Sequence, residues 1–158
     1  MWRLQNGELP PSLSPQVFWI LIGINDIGID WCTPEVALLG ILRVIEEILS
    51  KRTDAMIVLN GILPTTYERK RGFLNKSPKP TRFPVIWKDI QAINEQLRNY
   101  STNRERVTFF NVPELFLKEN GIQINKERMT DFLHPSSQGY KAWGDEIVEL
   151  LDSLMSPP

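Results

Sequence analysis

The stretch from Gln16 to Gly28, Q-V-F-W-I-L-I-G-I-N-D-I-G, constrains the fold more than any other part of the chain. Val17 to Ile22 is an unbroken run of apolar, β-branched and aromatic residues. It is too short for a helix of ordinary length and is closed by Gly-x-Asn-Asp, so it predicts a strand buried on both faces. Strands of that kind belong to parallel sheets covered by helices. The first polar side chains beyond its carboxyl end are Asn25 and Asp26, and the carboxyl edge of an open α/β sheet is where ligands bind. A candidate active site is therefore expected here.

The rest of the chain supplies the layers such a strand needs. Thr33-Pro34-Glu35 starts a helix, with Thr33 as N-cap. The helix is predicted to run to about Ser50, with Ala37, Ile41, Val44, Ile45 and Ile48 on one face. Ala55 to Asn60, A-M-I-V-L-N, is a second buried strand, and strand, helix, strand in this order is a right-handed crossover between parallel strands. Gly61 to Phe83 is predicted to be a long loop, with the basic run Glu68-Arg69-Lys70-Arg71 facing solvent; loops of that length tend to be functional. Pro84 opens a helix carrying Ile86, Ile90, Ile93 and Leu97 at helical spacing to about Tyr100. Arg106 to Val112 is the third strand, Pro113 to Asn120 a short helix stopped by Gly121, and Ile122 to Met129 irregular. The last helix starts at Ser136, with Tyr140, Trp143, Ile147, Leu150 or Leu151, and Leu154 on one stripe. At the amino end, Trp2 to Glu8 reads as the tail of a helix and Pro10 to Pro15 as an extended connector.

Composition sets outer bounds. At 158 residues, 42% hydrophobic and 23% charged, the chain is one domain, residues 1–158. A net charge of −1 gives no general attraction for nucleic acid or an anionic membrane. No segment has the apolar length of a membrane span. The amino terminus lacks the apolar core of a signal peptide, so a cytoplasmic protein is expected. Cys32 is the one cysteine and has no internal disulfide partner.

The side chains that can do chemistry are few. His134 is the single histidine, in Asp131-Phe132-Leu133-His134-Pro135 just before the last helix. A carboxylate three residues before a histidine can fold back to hold one ring nitrogen and leave the other to take a proton, the base-and-orienter half of a nucleophilic triad. A surface aspartate beside a helix-capping or buried histidine would give the same pattern. With one histidine and no cysteine partner, a metal site would have only carboxylates to draw on, and none is expected. Asn25 could aim an amide N–H₂ at the site as an oxyanion donor. Equally, Gly-x-Asn-Asp is good turn chemistry. Gly23, without a side chain, would let substrate or another backbone come close.

Strand-Gly-x-Asn-Asp early and Asp-x-x-His-Pro before the last helix, two α/β units apart, resemble the SGNH (GDSL-type) hydrolase superfamily. The opening W-R-L-Q-N-G-E-L resembles a run in the catalytic subunits of intracellular platelet-activating-factor acetylhydrolase, as do Asp131 to His134 and Gly139-Tyr140. The resemblance implies a three-layer α/β/α, flavodoxin-like doubly wound parallel sheet. It implies Asn25 as an oxyanion donor, Asp131 as the orienting acid and His134 as the general base, with Gly23 and Asp26 beside the substrate. The substrate implied is a small acyl ester of a lipid or sugar, with no cofactor. The family's Gly-Asp-Ser block, which carries the nucleophile, has no counterpart here, so no nucleophile is assigned. The chain is expected to be the carboxyl-terminal part of such a fold, truncated to about three strands and inactive alone. The alternative is a non-catalytic binding protein on the same scaffold, whose open sheet edge would favour pairing with a second copy.

Overall fold

In the computed structural model, residues 1–28, 30, 32–70, 73–76, 85–121 and 123–156 are described, with backbone only for 67–70, 73–76 and 85. The elements in chain order are α1 (Trp2–Gln5), β1 (Val17–Ile20), α2 (Ile24–Gly28), α3 (Pro34–Lys51), β2 (Met56–Asn60), β3 (Tyr67–Lys70), β4 (Phe73–Lys76), α4 (Val85–Thr102), β5 (Val107–Phe110), a 3-10 turn (Val112–Phe116) and α5 (Ser137–Met155). β1, β2 and β5 form a parallel sheet in that order. The fold is thus α/β, with α3 and α4 as the two crossovers.

α3 and α5 start where the sequence predicts, whereas the short helix expected over 113–120 is the 3-10 turn at Val112–Phe116. Thr33 caps α3, its hydroxyl accepting from the Val36 amide at 3.4 Å. Ala37, Ile41, Ile45 and Ile48 of α3 pack with Ile90, Ile93 and Leu97 of α4 against Ile57 and Leu59 of β2. Ile57 and Leu59 project from one side of the strand, so Val58 and Asn60 project from the other. There Asn60 accepts hydrogen bonds from Trp19 Nε1 of β1 at 3.0 Å and Trp143 Nε1 of α5 at 3.1 Å. Helices therefore cover both faces of the sheet.

Other expectations change. β1, expected to be buried on both faces, has all four residues half-buried, and among the described residues its one strand neighbour is β2. β2 is the strand in the middle, with Ile57 to Asn60 all buried. The Gly-x-Asn-Asp segment, good turn chemistry by sequence, winds into α2, whose Ile27 is fully buried under the core. The long segment after β2 contains the antiparallel hairpin β3–β4, pairing Tyr67 with Lys76 and Lys70 with Phe73. The expected solvated run Glu68 to Arg71 therefore lies partly in β3, while Arg71 and Pro84 fall outside the described residues. Tyr140, expected on the buried stripe of α5, is exposed and stacks on Trp143 at 6.1 Å between ring centroids. Below it α5 meets the sheet loosely, leaving an apolar groove of about 360 Å³ between Val17, Trp19 and Ile147, Leu151, Met155. Among the described residues no helix is long and apolar enough to cross a membrane.

Candidate active site

Parallel β1 and β2 end at the same sheet edge, and the polar segments that follow them collect there. Gly23 leaves β1 at φ +113°, a left-handed conformation that glycine adopts without strain. A Cβ at Gly23 would sit 2.9 Å from Ile41 Cδ1 and 3.0 Å from Ile62 Cδ1, so the turn into α2 is packed directly on the segment that follows β2. Asn25 and Asp26, one and two residues into α2, are exposed at this edge. The segment after β2 is pinned from the other side. Asn94 of α4 is buried, and its side chain accepts from the Ile62 amide at 2.8 Å and donates to the Ile62 carbonyl at 2.9 Å.

Two threonines then tie the same segment to the Asp-His turn. The Thr65 hydroxyl donates to the Phe132 carbonyl at 2.9 Å, and the Thr66 amide reaches the same oxygen at 3.4 Å. Phe132 lies at φ +65°, the one non-glycine residue among those described with a positive φ. A left-handed non-glycine residue costs about 1–3 kcal/mol and persists where its surroundings over-determine it. Here its ring is buried with Phe116 and Met129 while its carbonyl is held by Thr65.

That reversal folds Asp131 back over the next two residues. Asp131 Oδ1 accepts from the Leu133 amide at 2.9 Å and the His134 amide at 2.7 Å, an Asx turn. Its other oxygen, Oδ2, lies 2.7 Å from His134 Nδ1. Partial burial pushes the Asp131 carboxyl up, but the His134 amide, the His134 ring and the Leu133 amide together outweigh it, and its pKa lies below the usual carboxylate value. A carboxylate bound to Nδ1 places the proton on that nitrogen and leaves Nε2 as the acceptor. The imidazole is 70% exposed, and Nε2 has no partner among the described residues. The turn is anchored behind by α5. Ser136 Oγ accepts from the Gly139 amide at 3.1 Å and donates to the Glu127 carbonyl, and the Ser136 amide donates to the Arg128 carbonyl at 2.8 Å. A Cβ at Gly139 would land on that carbonyl oxygen.

The sequence matches the GDSL-like Lipase/Acylhydrolase family over residues 1–142. The chain belongs to this family. Among solved structures it is similar to a protein described as a platelet activating factor from Streptococcus pneumonia, at 25% identity and a TM-score of 0.68, covering 86% of this chain and 59% of that one. It is also similar in fold to an acylhydrolase from Bacteroides fragilis NCTC 9343 at 17% identity, and to a GDSL-like lipase from Bacteroides thetaiotaomicron VPI-5482 at 18%. Each of these two has a TM-score of 0.77, and each match covers 98% of this chain and 69% of the other. Comparison with curated protein sequences gives no significant match.

The structure brings together some of the expected site residues and adds supports that the sequence reading did not suggest. Asp131 and His134 are brought together; Asn25, Asp26 and Gly23 share their sheet edge but make no hydrogen bond or ion pair to them among the described residues. Asn60, Thr65 and Asn94 were not foreseen. Asn94 had a legible signal: it falls four residues after Ile90 and three before Leu97, on the buried stripe of α4, where a polar residue must find partners. A cavity of about 730 Å³ lies elsewhere, between α4 and the segment after β5, and none of the expected site residues lines it. Among the described residues no group of three or more His, Cys, Asp or Glu is gathered as a metal site.

Proposed function

We propose that this chain carries the base half of an SGNH-type serine ester hydrolase, with His134 as general base, Asp131 as its orienting acid and Asn25 as an oxyanion donor. The observation that carries the proposal is the 2.7 Å contact between Asp131 Oδ2 and His134 Nδ1, with Nε2 turned outward. In the reaction, Nε2 takes the proton of a serine hydroxyl as its oxygen attacks the ester carbonyl carbon. The Asn25 amide stabilises the negative oxygen of the tetrahedral intermediate. The imidazolium then gives its proton to the departing alcohol, leaving an acyl-serine. A water, deprotonated by the same nitrogen, releases the acid. Asp26, exposed next to Asn25, lies beside the bound ester, whereas the missing side chain of Gly23 makes room for Ile41 and Ile62 rather than for substrate.

The attacking serine is proposed to come from outside these 158 residues. No described serine hydrogen-bonds His134, and Ser136 is occupied as the cap of α5. The proposed substrate is a small acyl ester, such as an acetyl group on a lipid or sugar, in keeping with the likeness to the platelet-activating-factor protein. The test compares the 158-residue chain with a version extended by the sequence encoded upstream, using a small acetyl ester and a serine-directed fluorophosphonate probe. The extended chain should hydrolyse and be labelled, and the 158-residue chain should do neither. Stoichiometric labelling of a serine within residues 1–158 would overturn the assignment.

A second reading, a non-catalytic binding protein that pairs through its sheet, is favoured by one observation: among the described residues β1 pairs with β2 alone, leaving its other backbone edge open beside the apolar groove under α5. It requires self-association, measurable by light scattering, and an extended chain without esterase activity.

A further inference from the structure

We infer that Thr65 is a positioning residue for the general base: its hydroxyl holds Phe132 in the left-handed conformation that the Asp131–His134 turn requires. This rests on the reading of Asp131 and His134 as the base pair and adds the device that presents it. The hydroxyl donates to the Phe132 carbonyl at 2.9 Å, and Thr65 is fully buried, so no water competes for that bond.

The peptide being held is the one that matters. The Phe132 carbonyl belongs to the peptide unit whose N–H, on Leu133, donates to Asp131 Oδ1. Rotating that peptide would break the Leu133 bond and withdraw the neighbouring His134 amide, the two contacts that aim the carboxylate. Thr65 is itself fixed through Ile62, which is gripped at both backbone atoms by Asn94 and packed on Gly23. The segment from Ile62 to Thr66 therefore sets the position of the Asp-His turn relative to the Asn25 turn.

Thr66 supplies an internal control. It is as buried as Thr65, but its hydroxyl has no hydrogen-bond partner among the described residues. Replacing that hydroxyl by a methyl makes the same chemical change without releasing Phe132.

The test uses the single imidazole of the chain, which gives one set of ring nitrogen and proton signals in a labelled sample. In wild type the Nδ1-protonated tautomer is expected, with its proton slow to exchange because Asp131 covers it. In Thr65→Val the slow Nδ1 proton should be lost and the ring should shift towards the Nε2-protonated form. Thr65→Ser, which keeps the hydroxyl, and Thr66→Val should both retain the wild-type signals. In an active, extended version, Thr65→Val should lower kcat tenfold or more with KM little changed, and Thr65→Ser should restore it. A Thr65→Val chain with wild-type imidazole signals would overturn the inference. If Thr65→Val does not fold, Thr65→Ser decides: a folded serine variant that has lost the Nδ1 proton shows that the methyl, not the hydroxyl, is what matters. The imidazole readout is independent of turnover. A failure of the hydrolase reading would leave the Thr65→Val spectrum changed, whereas a failure of this inference would leave it unchanged.

Discussion

Asn60 joins β1, β2 and α5 through one carboxamide, and replacing it with leucine measures how far α5 depends on that joint. The side chain is 2% exposed. Its oxygen accepts from both Trp19 and Trp143, and its nitrogen donates to the Gly61 carbonyl at 2.8 Å. Asn60→Leu keeps the volume and removes all three bonds. A polar group left unpaired in the interior costs about 1–3 kcal/mol. The two indoles are only half-buried and leucine regains some transfer energy, so a net loss of about 2–4 kcal/mol is expected. For a domain of this size that lowers the melting temperature on the order of 5–15 °C. Urea unfolding followed by circular dichroism gives the free energy, and a cycle with Trp143→Phe isolates the α5 arm. Partners in one network should be non-additive by at least ~0.5 kcal/mol. A leucine variant within ~0.5 kcal/mol of wild type, or a strictly additive cycle, would refute the argument.

The glycines of α5 should respond in opposite directions. Gly139→Ala drives a methyl into the Arg128 carbonyl and is expected to cost about 3 kcal/mol or more, whereas Gly144, with nothing within 4 Å, should gain about 0.5–1 kcal/mol as alanine. Equal effects in urea titrations would mean that the amino end of α5 is not seated on that carbonyl. Asp131 should give stability a particular pH dependence. Its folded-state pKa is lowered, so its contribution is present above the ordinary carboxylate range and is lost as pH falls through the folded value. Against Asp131→Asn, the wild-type advantage in urea midpoint should shrink on acidification from neutral pH. An advantage that is constant or grows as the pH falls would contradict the hydrogen bonding assigned to that carboxylate.

What could be read from the sequence was what local pattern encodes. The stripe Ile86, Ile90, Ile93, Leu97 and the cap at Thr33 each depend on residues within a few turns of one another, and both stand in the structure. Asp131 and His134 are three residues apart, so their contact is also a local event. The status of β1 was not local. A run such as V-F-W-I-L-I reports a taste for burial, but which strands flank it is decided by the whole sheet, and among the described residues only β2 does. The β3–β4 hairpin was obscured by charge: Y-E-R-K and F-L-N-K lack clean alternation. The supports of the site were the least legible. Thr65 and Phe132 are 67 positions apart, and nothing in a threonine near the start of a loop says which carbonyl its hydroxyl will find.

The central claim is that the outward nitrogen of His134 is the base of an ester hydrolase, and single-residue kinetics test it most directly. In an extended, active version of the chain, kcat on a small acetyl ester should fall by several powers of ten in His134→Ala, since the imidazole that Asp131 orients is lost. Asp131→Asn should cost somewhat less, and Asn25→Ala roughly 10²- to 10³-fold. A folded His134→Ala variant that keeps wild-type turnover would contradict the account outright.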